Sequence, residues 1–249
     1  METITRFEDL TIQEKVAVII RATAQQFYSD RELQKYNGME GWWITLRGGR
    51  RVFVEARYVV RGDVDQQFAE EVVDTFRTFK PQFLSRTTYV SLHPAETTGW
   101  WKWKEDAGLM GTYQFDTKHV TVYDDDIFRT NGDTYTIGGT VAHELAHSHF
   151  SRVGLDTFSE KREAREGKMV RNFVDAVYAE DAAASPYALW NYYIDVDLGH
   201  AENFAEWGRV RYEATAYGGE YKEKWNDLVA ENPQTAKAFM PLWKSYGGA

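Results

Sequence analysis

The sequence predicts an α+β protein, with a small sheet in its first half and a mostly helical second half. Two observations carry this reading. Short runs rich in β-branched and aromatic residues, punctuated by turn signals, fall between Trp42 and Tyr123, whereas apolar residues at helical spacing dominate from about Tyr135 onward. The length of 249 residues is enough to bury a sizeable core in one large domain or two small lobes.

The elements follow in order. Ile12, Val16, Ile19, Ile20, Thr23 and Phe27 recur at helical spacing and predict an amphipathic helix from Thr11 to about Leu33. Trp42 to Leu46 and Arg51 to Val60 flank Arg47-Gly48-Gly49-Arg50 and predict a hairpin. Phe68, Val72, Phe76 and Phe79 mark a second helix ending near Pro81, and Thr87 to Leu92 reads as a strand. Two further strands, Gly111 to Phe115 and His119 to Tyr123, are joined by the turn Asp116-Thr117-Lys118. A helix from about Tyr135 to Arg152 follows, then one over Lys161 to Tyr178 with Met169, Val170, Phe173, Val174 and Val177 facing inward. Ser185-Pro186 reads as a helix start. A helix from about Ala201 to Tyr217 stops at Gly218-Gly219, and Asn232-Pro233 opens a last one that ends at Gly247.

Composition narrows the function. Apolar residues make up 43% and charged residues 27%, ordinary for a soluble globular protein. A net charge of -9 argues against a nucleic-acid partner, which needs a basic stripe for its phosphates. There is no cysteine, so disulfides and thiolate metal sites are excluded and any ligands are histidines or carboxylates. No basic-then-apolar leader opens the chain and no run is long enough to span a bilayer, which suggests no membrane partner. The expected location is the cytoplasm for the chain as written, or outside the cell if it is a mature form.

The chemistry concentrates at His143-Glu144-Leu145-Ala146-His147. Residues four apart on a helix lie about 40° from each other around the axis, so both imidazoles can meet one ion. Glu144 sits about 100° round, close enough to polarise a bound water without occupying the metal. This HExxH pattern predicts one Zn²⁺ whose bound water, activated by Glu144 as general base and acid, hydrolyses a peptide bond. His149 lies about 200° from His147 and is expected to point away, as a second-shell or surface group.

The third ligand decides the family. A metzincin continuation needs Gly and His where this chain has Phe150 and Val153, so that class is excluded. Asp156 is one alternative, without a supporting pattern around it. Glu202 and Glu206 are four apart on a later helix, 55 residues beyond His147, and offer a His₂Glu site. Two such carboxylates repel unless something cationic lies between them. The natural division puts Glu202 on the metal and Glu206 as acceptor from a ligand histidine, although spacing alone leaves the two interchangeable. The plain alternative is a solvated acidic face with Glu206 and Arg209 exposed.

The run Glu202-Asn203-Phe204-Ala205-Glu206-Trp207, followed by Asn232 to Phe239 with its early proline, resembles the carboxy-terminal end of anthrax lethal-factor-like peptidases and the Pro-Pro endopeptidases. The resemblance covers about residues 110 to 246. It implies a gluzincin-type, zincin-like metallopeptidase, a small sheet with an edge strand ahead of the HExxH helix, and division into residues 1–110, of unassigned role, and a catalytic region 111–249. It also implies a tyrosine before the glutamate helix that stabilises the oxyanion, here Tyr193 or, failing that, Tyr192.

A peptide or protein substrate is expected along an edge strand, either Gly111 to Phe115 or His119 to Tyr123. Trp100, Trp101 and Trp103 suggest either an aromatic wall for apolar residues or a cluster packed over the sheet. Asp124-Asp125-Asp126 reads more simply as a helix-start or solvated loop than as a Ca²⁺ site. Two rivals stand beside the endopeptidase: a narrow zinc hydrolase acting on something other than a general peptide, and a non-catalytic, toxin-derived binding module. Retention of Glu144 argues against the latter, since a metal-only site has no need of that carboxylate.

Overall fold

The computed structural model describes residues 34–45, 51–94, 111–114, 116–124, 136–150, 160–186, 188–189 and 196–248. The expected amino-terminal helix, Trp100, Trp101, Trp103, Asp125, Asp126, Asp156, Tyr192 and Tyr193 lie outside the described residues.

Strands β1 (Gln34–Tyr36) and β2 (Met39–Thr45) form a hairpin that the sequence reading did not anticipate. Its turn residues, Asn37 (φ 49°) and Gly38 (φ 82°), both sit in the left-handed region that a two-residue hairpin of this kind requires. Strand β3 (Arg51–Glu55) pairs antiparallel with β2. The chain then crosses through helix α1 (Arg57–Arg61), helix α2 (Gln66–Thr78) and a 3₁₀ turn (Phe83–Arg86) to β4 (Tyr89–Pro94), parallel to β3. Strands β5 (Gly111–Gln114) and β6 (His119–Asp124) complete a six-stranded sheet in the order β1-β2-β3-β4-β6-β5. Strands β1 and β5 are therefore its two outer strands, and the sheet draws strands from both sides of residue 110. Of the two strands expected to offer an edge, β6 is internal, paired on both sides.

One expected strand, Arg51 to Val60, is cut short at Glu55. Residues 57 to 61 instead turn helically and stop at Gly62, whose φ of 80° supplies the left-handed C-cap. Register aligns Val54, Val90 and Val120 across three strands, and these join Val52, Leu92 and Val122 in the core with Phe68, Val72 and Phe76 of α2. Asp65 caps α2 by accepting from Gln67 N–H and Phe68 N–H at 2.7 and 3.1 Å. Asp124 Oδ2 accepts from Asp65 N–H at 2.7 Å, so the first residue of the acidic run ties the end of β6 to the start of α2.

The second half is helical: α3 (Ile137–Phe150), α4 (Glu160–Glu180), α5 (Val196–Ala216), α6 (Gly219–Glu231) and α7 (Pro233–Tyr246). The overall class is mixed α+β with a small sheet and a mostly helical carboxy-terminal half. Phe173 and Val177 of α4 are buried as the spacing predicts, with Met169, Val170 and Val174 packed beside them. Ser185 Oγ accepts from Ala188 N–H at 3.2 Å, the capping contact expected at Ser185-Pro186. Helix α6 was not foreseen, although Trp225, Leu228 and Val229 recur at helical spacing; they pack against the core, and none of the helix's residues is fully buried. Glu180, the last residue of α4, accepts from the N–H groups of Gln234 and Thr235 and so caps α7 from outside it. No helix among the described residues is long and apolar enough to cross a membrane.

On the sheet face opposite Val90 and Val120, His119 stacks on Tyr89 at 3.9 Å and hydrogen-bonds Ser91 Oγ through Nε2. Burial, with help from nearby His93, lowers its pKa to about 4. The folded value lies below an unfolded value of about 6.5, so the folded state resists protonation. Stability is full above about pH 6.5 and is lost as the pH falls toward 4. The urea midpoint is expected to drop more between pH 7 and pH 5 in the native chain than in His119→Gln. Equal drops contradict this role for His119.

Candidate metal centre

Helix α3 is buried over nearly its whole length, and it lies against the outer strand β5 on one side and α5 on another. Small residues make that crowding possible. A methyl group on Gly208 of α5 would lie 3.4 Å from Ala146 Cβ and 2.8 Å from the Trp243 ring, so the two helices close on each other there. Phe150 of α3 stacks on Phe204 of α5 at 4.8 Å between ring centres. With that seam closed, His143 and His147 on α3 face Glu202 and Glu206 on α5.

Three ligand-type atoms converge. His143 Nε2 lies 3.0 Å from His147 Nε2 and 3.2 Å from Glu202 Oε2, and His147 Nε2 lies 3.2 Å from the same carboxylate oxygen. This His143, His147, Glu202 group can hold a metal ion. The other nitrogen of His143 has its own partner: Nδ1 is 2.9 Å from Glu206 Oε1. An ionised carboxylate only accepts, so Nδ1 carries the hydrogen and Nε2 is left to face the triangle.

Glu206 is not the solvated residue of the plain alternative. It is 5% exposed, and Arg209 donates to it from Nε and Nη2, both at 3.1 Å. Arg209 Nη1 donates in turn to Glu213 Oε2 at 2.9 Å. Glu213 Oε1 accepts from Thr136 Oγ1, which accepts from Gly139 N–H at the first turn of α3, both at 2.8 Å. The sequence shows Arg209 only as an exposed neighbour of Glu206, and Glu213 and Thr136 drew no notice, although Glu206, Arg209 and Glu213 repeat at helical spacing.

Electrostatics favour a cation at the triangle. Glu144, Glu202, Glu206 and Glu213 are only 3–8% exposed, and Arg209 is the basic side chain paired with Glu206 and Glu213. Burial alone would lower the His143 pKa, but hydrogen bonds to Glu202 and Glu206 outweigh it and push the value up to about 10. Burial opposes ionisation of Glu202 and Glu206 as well. Even so, His147 and His143 hold Glu202, and Arg209 and His143 hold Glu206, well below the usual carboxylate range. A proton on His143 or a metal ion in its place answers the same field.

Glu144 stands apart from this network. Burial raises its pKa, against the pull of His143 and His147. Its side chain lies over Gly111 of β5, where an added methyl group would sit 2.8 Å from Cγ and 2.9 Å from Oε1. Only glycine leaves room there for the Glu144 carboxylate.

His149 corrects the sequence expectation of a second-shell or surface group. It does point away from the triangle, but into the core, stacked between Phe83 and Tyr246 with Nε2 2.6 Å from the Phe83 carbonyl oxygen. It is a packed core histidine because the side of α3 opposite the triangle is also buried.

Comparison with protein-family models, with curated proteins and with solved structures finds no match in any of the three.

Glu202→Ala is expected to abolish binding of a divalent ion, whereas Glu206→Ala weakens it about 10–100-fold, the usual cost of losing a ligand's supporting carboxylate. Competition with a chromophoric chelator measures both. Retention of full affinity by Glu202→Ala contradicts the triangle as the ligand set.

Proposed function

We propose that this chain is a zinc-dependent endopeptidase of the gluzincin type, with a zincin-like arrangement of edge strand, HExxH helix and glutamate helix. The observation that carries the reading is the triangle of His143 Nε2, His147 Nε2 and Glu202 Oε2, with edges of 3.0, 3.2 and 3.2 Å. A tetrahedral ion with N and O ligands at about 2.0–2.1 Å requires ligand-to-ligand edges of about 3.3–3.4 Å, within a few tenths of those seen. Two imidazoles and one carboxylate, with no thiolate in the chain, are a donor set that suits zinc and leaves a fourth position open.

Zinc held there supplies a Lewis acid that acidifies water and polarises a carbonyl group. The rest is done by the protein. Glu144 adjoins His143 but is not one of the three converging groups, and its raised pKa suits a group that must both take and return a proton. Its carboxylate accepts the proton of the attacking water and delivers it to the departing amine. Glu206 keeps His143 in the tautomer whose Nε2 lone pair faces the ion. Strand β5, outermost in the sheet and in contact with α3 through Gly111, offers its backbone to an extended peptide. Tyr193 or Tyr192 is proposed to donate to the developing oxyanion.

The test is Glu144→Gln, assayed on an unbiased library of internally quenched peptides alongside zinc content. Zinc is expected to stay at one per chain while kcat falls about 10²–10⁴-fold, the range of a lost general base. A native chain that holds zinc but cleaves nothing in the library contradicts the general endopeptidase and favours the narrow hydrolase or the binding module.

A further inference from the structure

Two glutamates one turn apart on α5 both meet His143, Glu202 at Nε2 and Glu206 at Nδ1. Spacing on a helix does not tell them apart, yet the ligand role differs sharply from the supporting one. What distinguishes them lies one turn further along α5. Arg209 forks onto Glu206, its Nε to Oε1 and its Nη2 to Oε2, each at 3.1 Å. With the His143 Nδ1–H on Oε1 as well, three of the roughly four acceptor positions of that carboxylate are filled. Glu202 has only the two imidazoles as partners among the described contacts.

The guanidinium is itself fixed from the far side. Nη1 reaches Glu213, Glu213 reaches Thr136, and Thr136 accepts from Gly139 N–H, so the contacts return to the start of the helix that bears His143. Gly139 has no room for a side chain, because the Glu213 carboxylate occupies the place of a Cβ. Arg209 therefore sits in a closed ring: His143, Glu206, Arg209, Glu213, Thr136 and back along α3. A forked arginine pair is geometrically demanding and does not tolerate a carboxylate that swings toward another cation.

We propose that Arg209 is a positioning residue that assigns the two glutamates their roles, neutralising and anchoring Glu206 as the acceptor from His143 and leaving Glu202 as the carboxylate for the metal. The proposal rests on the metal-site reading above. Without the fork, Glu206 is a buried charge that is free to rotate. The ring of His143 then loses its fixed orientation, and the ion loses a pre-set ligand.

A double-mutant cycle on the full chain tests this, with affinities for Zn²⁺ taken from chelator competition and coordination followed by the visible spectrum of the Co²⁺ form. Arg209→Met is expected to weaken Zn²⁺ binding about 10–100-fold and to alter the Co²⁺ spectrum. Arg209→Lys, which keeps the charge without the fork, falls between it and the native chain. In a Glu206→Gln background, the further change to Arg209→Met costs less than about threefold, because Arg209 acts through Glu206. A merely structural arginine gives the same penalty in both backgrounds, and that result overturns the proposal, as does native affinity in Arg209→Met. If Arg209→Met fails to fold, the cycle is run with Arg209→Lys and decided on the same criterion. A native chain that binds no Zn²⁺ defeats the metal-site reading itself and is distinguished at the first titration.

Discussion

The centre of this protein is organised by buried negative charge that must be compensated. Glu202 and Glu206 on α5 close on two imidazoles of α3, with Glu144 beside them and Glu213 one layer out. Carboxylates removed from water are costly unless a cation or several donors stand against them. Arg209 answers for Glu206 and Glu213. Among the described residues, the compensation for Glu202 comes from His143 and His147, so either a proton resides on an imidazole or a metal ion takes that place. The distances among the three converging atoms suit the ion.

The fold serves that constraint by bringing rigid elements unusually close. Ala146 and Gly208 let α3 and α5 approach, Gly139 admits the Glu213 carboxylate, and Gly111 leaves the space that Glu144 fills above β5. At each of these three glycines a Cβ meets a functional side chain or the helix that carries one. The stacked aromatic groups behind them, Phe150 on Phe204 and Phe83 on His149, keep the helices from sliding. Side chains held on helices and a strand are placed more stiffly than the same groups on loops, which suits metal ligation.

Much of the site was legible in the residues because helical spacing is a strong constraint. The HExxH motif and the Glu202–Glu206 pair each place two groups on one face, and the structure brings those faces together. The helical second half and most strands were legible for the same reason, through periodic burial. What escaped has physical causes. The β1–β2 hairpin rests on Asn37-Gly38, a two-residue signal easily overlooked in the sequence beside Arg47-Gly48-Gly49-Arg50. Residues 57–61 have a strand-like composition but sit where the chain must turn to cross to β4. Helix α6 starts directly at Gly218-Gly219, which reads as a stop for the helix before it, and its stripe of Trp225, Leu228 and Val229 is only partly buried. His149 was placed correctly in angle and wrongly in environment, since a helical wheel does not show what lies on its far side. Arg209 was visible only as half of an exposed pair, because burial is a property of the fold.

X-ray absorption at the zinc edge, on the full chain loaded with one equivalent of Zn²⁺, reads out the ligand set of two histidines and one carboxylate. A four-coordinate shell of nitrogen and oxygen at about 2.0–2.1 Å is expected, with the outer-shell scattering of two imidazole rings. A shell with one imidazole or none, or an ion bound loosely in six-fold oxygen coordination, would contradict it.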